Sequence, residues 1–126
     1  ELLELVASLS TQHLDGFKPF ELSMLLWGFA KMSPVGGAPR AAEALFRAAG
    51  SRIAARAGFF SFRSLAMVAW AFATARQRDP RLFAAIAAEL RRAAPSANCQ
   101  ELGNTVWAFA SAGHRDRKLL TSMAQV

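Results

Sequence analysis

Positively charged residues gather at three places where the chain is expected to turn. Lys31 marks the first, Arg76 and Arg78 the second, and His114, Arg115, Arg117 and Lys118 the third. Ammonium and guanidinium groups set along one rim can hold successive phosphates of a single strand, releasing counterions without reading sequence. Side chains of another kind lie near them. Met24 in one segment, Arg63, Met67 and Thr74 in a second, and Gln100, Asn104 and Ser111 in a third share one helical face. Amides and hydroxyls on such a face can hydrogen-bond base edges, the chemistry that distinguishes one nucleotide from another. The overall balance points the same way, with 15 Lys and Arg against 9 Asp and Glu and a formal net charge of +6 over 126 residues. Such an excess fits a polyanionic partner, although a solvated arginine-rich face gives the same count.

Other chemistries find no residues to carry them. There is no carboxylate pair, no nucleophile beside a base and no glycine loop of the kind that cradles phosphate. His13, His114 and Cys99 lack metal-ligand spacing, and a single cysteine excludes an internal disulfide. The expectation is a protein that is not an enzyme and takes no cofactor, metal or small-molecule substrate. The longest apolar run, LAMVAWAFA, is about half of the roughly 20 residues that a membrane span requires, so no membrane insertion is expected.

A repeat positions these groups. Leu45-Phe46, Leu82-Phe83 and Leu119-Leu120 follow one another at intervals of 37, and Trp70 and Trp107 are also 37 apart. Trp27 and Trp70 are 43 apart, the six extra residues falling in the segment MSPVGGAP. Periods of this size mark solenoids, whose helical hairpins bury their apolar faces only by stacking on neighbours. Leu22, Leu25, Leu26 and Phe29, and then Leu65, Val68, Ala69 and Phe72, follow helical spacing and define A helices. B helices carry Leu45, Phe46 and Ile53, then Leu82, Phe83, Ile86 and Leu90. Asp79-Pro80 reads as an N-cap with proline in the first helical position, Ser61 and Asn98 as caps of the later A helices, and Gly16, Gly58 and Gly113 as helix ends. The fold expected is all-α, an α-α superhelix with a period of 37 residues forming one solenoid over 1–126. Its parts are a B helix of a preceding partial repeat at 1–14, a first repeat at 17–58 with an inserted turn at 32–39, a second at 60–95 and a truncated third at 97–126. Because the sequence opens inside one B helix and stops inside another, it reads as a fragment of a longer protein.

Beside the tryptophans runs the stripe expected to face away from the core. It contains Phe20, Met24, Gly28 and Lys31, then Arg63, Met67, Ala71 and Thr74, then Gln100, Asn104, Ala108 and Ser111. The small residue after each tryptophan leaves room for a neighbouring helix or a ligand. Trp27, Trp70 and Trp107 are assigned to core packing between repeats rather than to base stacking, since each stands beside Phe29, Phe72 or Phe109 on a helix that touches both neighbours. Competing readings make Met24 and Met67 core fillers and Asn104 a solvated residue.

The segment LGNTVWAFASAGHRD, with LAMVAWAFATARQRD as a weaker copy, resembles the signature of octotricopeptide repeat proteins and of the similar 37-residue repeats of algal and protist organelles. The second copy has Met67-Val68 where the signature has asparagine-threonine, and Arg76-Gln77 where it has glycine-histidine. The first departs further, with Met24-Leu25, Gly28 and the inserted turn. This resemblance implies an RNA-binding helical-repeat protein of a mitochondrion or chloroplast, acting in RNA metabolism, translation or ribosome assembly. Its partners would be RNA, single-stranded or ribosomal, and other proteins of a large complex. The residues expected to touch RNA are Met24, Lys31, Arg63, Met67, Thr74, Arg76, Arg78, Gln100, Asn104, Ser111, His114 and Arg115. The alternative is a structural scaffold, a subunit of an organellar ribosome or another large complex, whose open face packs on protein.

Overall fold

The computed structural model describes residues 2–32, 40–93, 95 and 97–113. Those residues are helical, with short turns between helices and no strand among them, in agreement with the all-α expectation. In chain order the helices are α1 (Leu2–Gln12), α2 (Pro19–Met32), α3 (Arg40–Arg56), α4 (Phe62–Thr74), α5 (Pro80–Ala93) and α6 (Cys99–Ser111). They sort into two layers: α4 packs between α2 and α6, α3 packs between α1 and α5, and α4 also meets α5. The expected A helices thus form one layer and the described B helices the other. None is long and apolar enough to cross a membrane.

Local chemistry explains where the helices start. Glu21 Oε1 accepts the Lys18 N–H (2.8 Å) at the head of α2, and Ser61 Oγ accepts the Ser64 N–H (3.1 Å) at the head of α4. Asp79 Oδ1 accepts the Leu82 N–H (3.0 Å), with Pro80 opening α5. A reciprocal capping box opens α6, in which Asn98 Oδ1 takes the Glu101 N–H (2.8 Å) and Glu101 Oε1 takes the Asn98 N–H (3.1 Å). Cys99, the first residue of α6, is exposed.

The helix ends are equally specific. Beyond α4 the Gln77 N–H reaches back to the Phe72 carbonyl (2.9 Å) and the Arg76 N–H to that of Ala73 (3.2 Å), a Schellman closure. This geometry needs a left-handed residue, and Arg76 supplies it with φ of 57°. The residue in the same place after α6 is Gly113, with φ of 78°.

Between the layers the core follows the apolar periodicity. Leu26, Leu45, Phe46, Ile53, Leu65, Val68, Phe72, Leu82, Phe83, Ile86 and Leu90 are all buried. Two edge-to-face phenylalanine pairs join the layers: Phe46 of α3 on Phe72 of α4 (4.9 Å, 74°) and Phe83 of α5 on Phe109 of α6 (5.1 Å, 68°). Within the first layer, the buried Ser23 hydroxyl donates to the Ser64 carbonyl (3.2 Å) and so ties α2 to α4. Gly50 of α3 lies so close to the head of α5 that a Cβ would collide with the Asp79 carboxylate and stand 3.3 Å from the Phe72 ring.

Candidate nucleic-acid interface

The open face of α2, α4 and α6 is organised around its tryptophans. Trp27 and Trp70 have ring centroids 6.0 Å apart at an interplanar angle of 35°, and Trp70 and Trp107 follow at 6.4 Å and 36°. The indoles therefore link neighbouring helices, as expected. Their expected place in the core is corrected: Trp27 is 37% and Trp107 49% exposed, with Trp70 partly buried between them. The cause is angular. Two positions along an α-helix turn through about 200°, so a phenylalanine that faces the second layer turns the tryptophan two residues before it toward the opposite side.

The expected open stripe needs a correction for the same reason. Ala71 and Ala108 are 0% exposed and belong to the core. Each is turned about 100° from its tryptophan, toward a flank, and α4 has helices on both flanks. Gly28 differs, since a Cβ there would meet none of the described residues within 4 Å, so no close approach among them requires that glycine.

Most of the residues singled out for RNA contact converge on two grooves. Lys31, Arg63, Met67, Gln100 and Asn104 line one of about 560 Å³, together with Trp27 and Trp70. Thr74, Arg76, Arg78 and Ser111 line another of about 540 Å³, together with Trp107. Met24 is exposed on α2 but is not among the residues lining either groove. His114 and Arg115, with Arg117 and Lys118, lie outside the described residues.

Several details set the chemistry of this face. Lys31 Nζ stands 4.6 Å from the centre of the Trp27 ring, and the Arg63 guanidinium stands 5.6 Å from that of Phe20. Aromatic support of this kind holds a cation in place while leaving its charge available. The carboxylates that share the grooves, Glu101 and Asp79, are each engaged in capping a helix. Thr74 lines the second groove, and its Oγ1 is buried with no hydrogen-bond partner among the described residues. Among the described residues no three His, Cys, Asp or Glu side chains are arranged to hold a metal ion.

Sequence reasoning missed the tryptophans as groove walls, although the spacing Trp-x-Phe contained the signal. It also gave no role here to Glu101 or Asn98, whose capping box brings their side chains to the mouth of the first groove. Compared with protein families, with curated proteins and with solved structures, the chain matches none.

Proposed function

We propose that the chain is a helical-repeat RNA-binding protein, an α-solenoid of 37-residue hairpins that holds single-stranded RNA along α2, α4 and α6. Its work would be in organellar RNA metabolism, translation or ribosome assembly, in a mitochondrion or chloroplast, as a binding protein rather than an enzyme. One observation carries this reading: cations, side-chain amides and exposed indoles converge on adjoining grooves of a single face. Lys31, Arg63, Arg76 and Arg78 supply charge for phosphates, while Gln100 and Asn104 supply donors and acceptors for base edges. The placing in an organelle rests on the octotricopeptide resemblance alone.

The test separates those two roles. Affinity for single-stranded RNA falls with salt along a log-log slope of roughly 0.7 per phosphate neutralised. Replacing Arg76 and Arg78 with glutamine flattens that slope and weakens all sequences alike. Asn104→Ala leaves the slope unchanged and alters preference at one nucleotide. If neither change affects RNA binding, while the double replacement releases the chain from a larger complex, the scaffold reading takes its place. That second reading draws on α1, where Leu2, Leu5 and Leu9 are exposed along one stripe, as a protein contact would use them.

A further inference from the structure

A third concave feature lies at the other end of the layers. α2 and α4 run side by side in the same direction, with Phe20 meeting Arg63 near their starts and Trp27 meeting Trp70 further on. Arg76 and Arg78 follow the end of α4, whereas the connections before α2 and α4 meet the end of α3 at the opposite rim. There Leu14, Phe17, Ile53 and Phe60 wall a cleft of about 350 Å³, with Phe59 at its edge.

Comparison of the two connections isolates Phe59. Each is a single 3-10 turn, Leu14–Gly16 and Ala57–Phe59, followed by an extended phenylalanine, Phe17 or Phe60, packed against the core. The last turn residue is Gly16 in one and Phe59 in the other, so the backbone requires no ring there. Phe59 is nevertheless 81% exposed, the most exposed of the large apolar residues described. An aromatic ring held in water beside an apolar cleft is an anchor without its counterpart.

Charge selects the counterpart. Arg52 and Arg56 line the cleft one helical turn apart, and the Asp15 carboxylate is already paired with Arg52. Arg56 is exposed, and no ion pair or hydrogen bond is described for its side chain. The rim thus accepts one carboxylate from this chain and leaves a guanidinium for another. A nucleic acid fits less well, because the described walls are largely apolar and carry no amide or hydroxyl side chain to read a base.

We propose that this cleft is a docking site for an acidic peptide segment of another protein, which inserts an aromatic or aliphatic side chain beside Phe59 and places a carboxylate on Arg56. The site is separate from the RNA face and does not depend on that reading.

The test uses the whole chain and a fluorescein-labelled peptide with one phenylalanine among aspartates and glutamates. Saturable binding is expected, with amide shifts confined to 14–22 and 52–60. Phe59→Ser and Arg56→Glu each weaken it about tenfold, leaving Tm and RNA affinity unchanged. Exchanging the peptide's acids for lysines, or its phenylalanine for alanine, abolishes binding. Absence of binding, or binding that neither substitution weakens, would overturn the proposal. So would self-association abolished by Phe59→Ser, which assigns the cleft to a second copy. Single-stranded RNA that shifts the same amides would assign it to nucleic acid instead.

Discussion

Arg76 carries two opposed demands. Its backbone sits in the left-handed region, which costs a non-glycine residue about 1 kcal/mol or somewhat more, while its side chain contributes charge to a groove. Arg76→Gly is expected to raise unfolding free energy by about 1 kcal/mol in denaturant titrations and to weaken RNA binding. A stability loss would show that the side chain holds the turn. The aromatic pair Trp-x-Phe gives a second expectation at this scale. Phe72→Ala removes a fully buried ring and should cost about 3–5 kcal/mol, whereas Trp107→Ala removes a half-exposed one and should cost about 1 kcal/mol. Equal losses would return the tryptophans to the core. Both residue types are legible in the sequence, but which of them is buried is set by helical angle and not by apolar character, since two positions turn through about 200°.

Helices and their caps were the most legible level. Asp79-Pro80, Ser61 and Asn98 act through hydrogen bonds three residues long, so local sequence suffices to find them. Burial of Ala71 and Ala108 was not legible in the same way, because it depends on helices that flank from elsewhere in the chain. The cleft at the far rim was invisible for a similar reason, since residues 14–22 and 52–60 come together only on folding. The approach of α3 to α5 at Gly50 joins these levels, for a methyl there displaces the carboxylate that caps α5. Gly50→Ala is expected to destabilise by about 1–3 kcal/mol despite alanine's higher helix propensity. Asp79→Ala alone should cost about 1 kcal/mol, and the double variant should lose less than the sum of the two. Strict additivity in that cycle would show that the glycine and the cap do not meet.

At the scale of the whole molecule the two layers divide the work: one carries the grooves on its open side, and the other supports it through the phenylalanine pairs. The net charge of +6 then makes salt act in opposite directions. Screening relieves repulsion within the folded chain and should raise Tm slightly, while under the proposed function the same salt should weaken RNA affinity. Parallel thermal melts and binding curves check this, and a Tm that falls with added sodium chloride would mean that attractive ion pairs dominate the fold. The indole ladder, finally, is one chromophore as well as three side chains. Rings at 6.0 and 6.4 Å couple their electronic transitions and pass excitation along the row. Near-ultraviolet circular dichroism therefore reports the mutual orientation of the rungs, and a quencher arriving at Trp107 dims light absorbed at Trp27.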